Sequence, residues 1–248
     1  MSVTIILPIS RDPERILTNL NELECSADTS LLLVVDGDQK LFLKARNFPT
    51  KFNSLVVQFK GKSSPSRFSQ LIRRWRISAI NNLAGTYLAD DDFVCLMEDD
   101  GIYEPQTLNK LLKAKKDYIS GWQIGRWGLS YCGIWSYNSF DNPTTLESLL
   151  PYEDKEVDAT GLYCCLMRTE LYKNHDFQPF DNGQAGPDLR FGQMLRQQGI
   201  KLNVDWSLNV PHIDKNGKAI DKDNTVPKKI MMEKKNGRWR FINPPDRV

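Results

Sequence analysis

The sequence lacks an apolar run long enough to cross a membrane. Its longest runs, such as Leu31–Val35, fall far short of the roughly 20 residues a helical span needs. It also lacks the pattern of a secretory leader, because Val3–Leu7 is too short for a signal-peptide core and no basic segment precedes it. Cysteine is sparse: Cys25, Cys95, Cys132, Cys164 and Cys165 form no CxxC pair and leave one unpaired. Reduced thiols in a cytoplasmic protein are therefore expected, and structural zinc is not. No charge dominates either. The 33 Lys and Arg oppose 31 Asp and Glu, and a formal charge of +2 is too weak to imply a nucleic-acid or membrane partner by its field alone. Internal repeats and low-complexity tracts are missing. What remains is 248 residues, 40% hydrophobic and 26% charged, the balance of a globular chain with ample core.

The first hundred residues alternate two kinds of pattern. Val3–Leu7, Leu31–Val35, Leu55–Phe59 and Phe93–Met97 read as apolar strands. Between them, Asp12 and Pro13 open a helix carrying Ile16, Leu17, Leu20 and Leu23, and Ser66 to Leu83 has the spacing of an amphipathic helix. Strands apolar throughout, separated by helices, predict a parallel sheet covered on both faces. From about residue 120 the texture changes to Gly, Trp and Tyr with turn signals. Leu189–Gln198 predicts a helix closed by Gly199, and Ile200–Trp206 predicts a last strand before Pro211-His212. After 213 the chain is basic, with Lys215–Asn224 expected as a loop leading to a C-terminal tail over 214–248.

Ligands of open parallel sheets bind at the carboxyl ends of the strands. Ser10-Arg11, Asp36-Gly37-Asp38 and Glu98-Asp99-Asp100 follow the first, second and fourth strands, so three polar clusters converge on one crevice. The carboxylates of the last cluster suit a hard cation, Mg²⁺ or Mn²⁺, although Asp and Gly also favour simple turns. His212 can serve as a metal ligand or as a structural histidine, whereas His175 has the surroundings of an exposed turn. Asp188, at the start of the late helix, can cap it or act as a general base, and the two roles are compatible. Trp122, Trp127, Tyr131 and Trp135 can pack in the core or stack on a sugar or base.

The motifs in order are Pro8 in the first strand, Asp36-Gly-Asp38, Arg73-Arg74, Phe93-Val-Cys-Leu-Met-Glu-Asp-Asp100, Val157–Gly161, Gly186–Phe191 and Val204–His212. This order resembles the nucleotide-sugar glycosyltransferases of the GT-A fold, family 2 type, over roughly residues 3–213. The resemblance implies an α/β, Rossmann-like fold with a mostly parallel central sheet flanked by helices, split into a nucleotide-binding half (1–100) and an acceptor half (101–213). It implies that Pro8, Ser10, Arg11 and Asp36 hold the nucleoside, that Arg73 or Arg74 contacts the nucleotide, and that Asp99 lies near the ribose or diphosphate. Asp100 and His212 are implied as ligands of Mn²⁺ or Mg²⁺, and Asp188 as the base of an inverting transfer. The implied partners are a nucleotide-sugar donor, UDP-linked, and a hydroxyl acceptor: a sugar, a glycan or a nucleic acid. The chain departs from the pattern at Glu98, the first acid of the DXD motif, and at Pro187, where a second acid is usual.

Two other readings compete. A nucleotidyltransferase would carry a Gly-rich basic loop after the first strand, where this chain has Ile9-Ser-Arg-Asp-Pro13. A non-catalytic module with the same fold would use Lys228, Lys229, Lys234, Lys235, Arg238 and Arg240 around Trp239 on a phosphate-rich partner such as nucleic acid. The same residues could instead fold over the donor diphosphate, or form a solvated tail.

Overall fold

A computed structural model describes residues 1–61, 70–125, 131–154, 156–214 and 217–242. The first half runs β1 (Ser2–Ile9), α1 (Glu14–Asn21), β2 (Asp28–Val35), α2 (Gln39–Asn47), β3 (Asn53–Gln58), α3 (Gln70–Gly85) and β4 (Phe93–Met97). It continues with α4 (Thr107–Lys113), β5 (Tyr118–Trp122), β6 (Ile134–Tyr137), β7 (Thr145–Ser148), β8 (Glu156–Val157), β9 (Ala159–Thr160), β10 (Cys164–Arg168) and α5 (Thr169–Lys173). The last elements are α6 (Pro187–Gln197), β11 (Leu202–Asn209), β12 (His212–Ile213), β13 (Ala219–Ile220), β14 (Met231–Lys235) and β15 (Arg238–Phe241).

Eight strands form the central sheet in the order β3-β2-β1-β4-β10-β5-β11-β8. The pairings of β2 with β3, β1 with β2, β1 with β4 and β5 with β11 are parallel, so the sheet is mostly parallel, as expected. At its centre β10 is antiparallel to both β4 and β5, and at its edge β8 is antiparallel to β11. Successive strand residues point to opposite faces, and β1 and β2 show why they are apolar throughout. Val3, Ile5, Leu7 and Ile9 join Leu31, Leu33 and Val35 in the core beneath α1, α2 and α4. Ile6, Leu32 and Val34 face the opposite core, with Ile80 of α3 and Phe191 and Leu195 of α6.

Local chemistry sets the helix starts. Asp12 accepts the Glu14 backbone N–H at 3.0 Å, and α1 buries Ile16, Leu17 and Leu20. Asp38 caps α2 by accepting from the Leu41 N–H at 2.8 Å. The helix expected over Ser66–Leu83 is described from Gln70, the residues before it lying outside the described segments.

A second sheet, β15-β14-β7-β6-β9, is antiparallel throughout. Part of the segment expected as a basic tail is thus an ordered hairpin paired to β7. The left-handed backbone of Asn236 (φ 52°) and Gly237 (φ 71°) makes its two-residue turn. Residues 215 and 216 of the expected loop lie outside the described residues, while Ala219 and Ile220 pair with His212 and Ile213. Trp135, Tyr137, Phe180 and Leu189 pack beneath this sheet and seat the start of α6.

Cys95, Cys164 and Cys165 lie on the adjacent central strands β4 and β10, and they are fully buried, as is Cys132. Among the described residues no helix is long and apolar enough to cross a membrane.

α6 approaches β9 at Gly192. A Cβ there would lie 2.6 Å from the Asp158 carbonyl oxygen and 2.6 Å from Ala159 Cβ. Gly192→Ala should gain up to ~1 kcal/mol of helix propensity and lose more, ~1–3 kcal/mol, to overpacking against backbone that has little room to move. A lowered urea midpoint is expected. A midpoint equal to or above that of the parent would contradict this close helix–sheet approach.

Candidate functional site

β1 and β4 are parallel neighbours, so the residues after their carboxyl ends meet. Asp99 Oδ2 accepts from the Ser10 backbone N–H (2.7 Å) and hydroxyl (2.9 Å). Arg11 reaches both acids, with Nη2 3.1 Å from Asp100 Oδ2 and Nε 3.8 Å from Asp99 Oδ1. Arg15 of α1 donates to the main-chain oxygens of Asp99 (2.7 Å) and Gly101 (3.0 Å), fixing the turn from below. The ladder between β1 and β4 spans only Val3–Ile6, so Pro8 lies beyond it, where a missing N–H costs no bond to β4.

His212 joins this turn from the far end of the sequence. The Ile102 N–H donates to the Pro211 oxygen and the Ile213 N–H to the Asp100 oxygen, both at 2.8 Å, bracketing a bridge between Gly101 and His212. Asp100 and His212 are both buried. Six expected site residues (Pro8, Ser10, Arg11, Asp99, Asp100 and His212) thus belong to one neighbourhood. Among the described residues, no group of three or more His, Cys, Asp or Glu side chains assembles into a metal cage.

Asp36 follows β2 and is held by Arg76 of α3, whose Nε donates to Oδ2 at 2.6 Å and whose Nη2 pairs with Oδ1. The guanidinium also lies 5.3 Å from the Phe59 ring centre. Sequence reasoning selected Arg73 and Arg74 and missed Arg76. The apolar spacing of α3 locates the helix, but it does not single out which arginine of Arg73-Arg74-Trp75-Arg76 faces Asp36.

Arg73 and Arg74 line a different space, a cavity of about 1250 Å³ bounded also by Glu98, Tyr131, Asp188 and Trp239. Asp100 and His212 are not among its lining residues, and Glu98 links the cavity to the acidic turn. Arg74 donates to the Gly183 oxygen at 2.7 Å. Of the four aromatics singled out, Tyr131 and Trp135 border the cavity, their rings 5.3 Å apart. Trp122 is core, 6.1 Å from Trp206, and Trp127 lies outside the described residues. The hairpin's Arg238, Trp239 and Phe241 form another wall, a contribution concealed in a segment read as a tail.

Asp188 is not the cap of α6. The cap is Gly186, which has no side chain to offer; Pro187 takes the first helical position and Asp188 the second. The partly buried carboxylate turns back on its own backbone N–H and that of Leu189. Burial pushes its pKa up. The two N–H groups and the nearby Arg74 oppose that shift without overcoming it. Burial likewise drives the Tyr131 phenol up to about 12, helped by the charge of Asp188 and opposed by Arg74. A Cβ at Gly186 would stand 2.1 Å from Asp188 Oδ1, so glycine is what lets the carboxylate fold over the helix end. His175 takes no part. Its Nδ1 lies 2.6 Å from the Leu171 oxygen, and its ring edge rests on Phe191.

No protein-family model matches the sequence, and a search of curated proteins found no match. Among solved structures, the fold is similar to that of GalNAc-T7, crystallised with UDP, GalNAc and Mn²⁺. The TM-score is 0.58 at 10% identity, over 86% of this chain and 43% of that one. The chain therefore spans less than half the length of the GalNAc-T7 chain. It is also similar to HddC from Yersinia pseudotuberculosis, with a TM-score of 0.49 at 10% identity over 86% of this chain and 92% of the other, a likeness too slight to argue from. At such identities the likeness shows architecture alone, and that architecture is a GT-A-like α/β fold with a large, mostly parallel central sheet.

Proposed function

We infer that the protein is a glycosyltransferase moving one sugar from a nucleoside-diphosphate sugar, UDP-linked, to a hydroxyl acceptor with inversion at the anomeric carbon. The observation that carries this reading is Asp188: a carboxylate of raised pKa facing a large cavity that shares Glu98 with the acidic turn at the strand ends. A hydroxyl is a poor nucleophile near neutral pH. A positioned carboxylate that takes its proton contributes about 10²–10⁴-fold. In the transfer, the acceptor oxygen forms a bond to the anomeric carbon and its proton passes to Asp188. The bond from that carbon to the diphosphate breaks, and its electron pair leaves with the phosphate. Arg73 and Arg74, on the cavity wall, lie where they can offset the charge that develops there.

Asp36, Arg76 and Phe59 offer the nucleoside a charged pair and a ring at the edge of the crevice, with Pro8, Ser10 and Arg11 beside them. An oxygen donor from Asp100 and a nitrogen donor from His212, on bridged backbone segments, fit a Mn²⁺ or Mg²⁺ ion whose other ligands come from diphosphate and water. Such an ion would supply charge neutralisation on the diphosphate.

Asp188→Asn should leave UDP affinity by calorimetry unchanged and reduce transfer by ~10²–10⁴-fold. Because the base must be deprotonated, the parent's rate should fall as pH drops through a pKa above the usual carboxylate range, and the variant should lose that limb. A raised folded-state pKa stabilises the fold below the unfolded-state value, and that contribution is lost as pH rises through the folded value. The Asn variant should therefore be at least as stable as the parent at neutral pH, with its advantage vanishing on acidification. Near-normal transfer rates would return Asp188 to a purely structural role.

Gly186→Ala tests the same carboxylate by displacement. The new methyl should push Asp188 aside, lowering transfer at least about tenfold while the thermal midpoint moves little, since the group displaced is the end of a side chain. Unaltered kinetics would show that the folded-back position of Asp188 is dispensable.

Asp100→Ala and His212→Ala should each weaken Mn²⁺ binding, measured by calorimetry in the presence of UDP, by at least ~10–100-fold, the scale of losses at supporting metal-site residues. Undiminished Mn²⁺ affinity in both variants would remove the metal from this reading.

A further inference from the structure

Three adjacent strands of the central sheet open on the large cavity. β4 and β5 end there at Glu98 and Gln123, and because β10 between them runs antiparallel, its start at Tyr163 lies at the same edge. The Tyr103 hydroxyl ties two of these strand ends together: it accepts from the Glu98 N–H at 2.7 Å and donates to the Tyr163 oxygen at 2.8 Å. The Gly133 N–H donates to the Gln123 oxygen (3.1 Å) and the Gly161 N–H to the Gly133 oxygen (2.8 Å), so this end of the cavity is a fixed row of main chain. The Tyr163 ring fills the space that side chains at Gly133 and Gly161 would take. A Cβ at Gly133 would lie 3.0 Å from the ring's Cε1 and one at Gly161 closer still, which accounts for the glycine that ends the Val157–Gly161 stretch.

Two polar atoms at this end are left without partners. Gln123 is 6% exposed and Tyr163 5%, yet among the described residues neither Gln123 Nε2 nor Tyr163 Oη makes a hydrogen bond. The Gln123 backbone N–H approaches the phenol closely enough to oppose the rise in its pKa, but falls short of hydrogen-bond geometry. Burial dominates and keeps the hydroxyl neutral. Buried polar groups are almost always paired, and an unpaired one works against the folded state. Both residues line the large cavity, so a ligand there can supply what the protein does not. The groups on offer are donors, the amide N–H bonds of Gln123 and the O–H of Tyr163. Neutral donors suit the hydroxyl oxygens of a sugar. A phosphate draws arginine, and the cavity's arginines come from α3 and β15 instead.

We propose that Gln123 and Tyr163 recognise the donor sugar, donating hydrogen bonds to its hydroxyls and so setting which sugar is transferred. The proposal rests on the glycosyltransferase reading above. Its placement follows from connectivity. Glu98 begins the acidic turn to which the diphosphate is assigned, and Tyr103 bonds that turn to Tyr163. The sugar is the part of the donor next to the diphosphate, so its hydroxyls fall at Tyr163 and Gln123, while Asp188 faces the same cavity from α6. A sugar with the relevant hydroxyl inverted or missing leaves the donors buried and unpaired again. Discrimination of that kind is stronger than an apolar pocket achieves.

The test uses the whole protein with saturating Mn²⁺ and compares UDP, UDP-glucose, UDP-galactose, UDP-N-acetylglucosamine and UDP-N-acetylgalactosamine by calorimetry. The parent should separate the best of these sugars from the worst by at least about tenfold. In Tyr163→Phe and Gln123→Leu the preferred UDP-sugar should weaken about three- to tenfold, the loss of one neutral hydrogen bond, while UDP keeps the parent's affinity. Without ligand, Tyr163→Phe removes only an unpartnered oxygen, so its thermal midpoint should equal or exceed the parent's. That readout stands even if Gln123→Leu misfolds. A lower midpoint for Tyr163→Phe would show that the hydroxyl serves the fold and would overturn the site. So would equal losses for UDP and UDP-sugar, an unchanged sugar affinity in the folded variants, or a parent that binds UDP and treats the sugars alike. Each of these leaves the glycosyltransferase reading standing. A parent that binds neither UDP nor any UDP-sugar overturns that reading, and the sugar site with it.

Discussion

Two main-chain hydrogen bonds, from Ile102 to Pro211 and from Ile213 to Asp100, hold the candidate site together. β4 and β11 are separated in the sheet by β10 and β5, so their exits would not meet without this bracket. Because backbone donors and acceptors must be satisfied when buried, the bracket fixes the direction in which the chain leaves β11. It delivers His212 to the acidic turn and starts β12 toward β13. The chain that emerges then pairs as β14 and β15 and walls the large cavity. A link between residues more than a hundred positions apart therefore decides the geometry of both halves of the crevice.

The start of α6 shows a conflict between local and global physics. The helix N-terminus and Arg74 favour a charged Asp188, and desolvation opposes it more strongly. From sequence alone only the first effect is visible, and it argues for a weak base. The burial that reverses it comes from the second sheet and the aromatic cluster beneath, neither of which is local to the helix. Sites that keep an unfavourably placed charge commonly do so at some expense to stability.

The first hundred residues were legible because β1, β2 and β4 are largely buried on both faces, and the edge strand β3 still carries an apolar run at Leu55–Val57. A short apolar run such as Phe93–Met97, flanked by acidic clusters and too brief for a helix, reads as a buried strand, and the strand spans those same residues. The acidic turns were legible for the same reason, since a polar cluster ending an apolar run marks the carboxyl edge of the sheet. The second sheet was obscure. Its strands are as short as two residues, and β14 reads Met-Met-Glu-Lys-Lys, with no alternation to separate it from a solvated tail. Pairing with β7 and packing near Ile230 make it a strand, and those are long-range effects. The antiparallel course of β10 was likewise hidden, because an apolar strand carries no mark of its direction. Arg76 was missed at a finer scale. Positions 73 and 76 are one turn apart, and which of them meets Asp36 depends on the rotation of α3 about its axis.

The thiols have a consequence of a different kind. Cys132 and Cys165 have pKa values raised to about 12 by burial, and Cys95 and Cys164 are raised for the same reason, so at neutral pH all four are protonated and shielded. Cys25, at the edge of the fold and 2.6 Å from the Thr29 hydroxyl, is the one partly exposed thiol. Alkylating reagents act on the thiolate, so native protein should take up label at Cys25 first and at the other four only as β4, β10 and the loop holding Cys132 come apart. The chain thus carries an intrinsic clock: label at Cys132 marks the opening of its loop, and label at Cys95, Cys164 and Cys165 marks the opening of the central sheet, with no cysteine added by mutation.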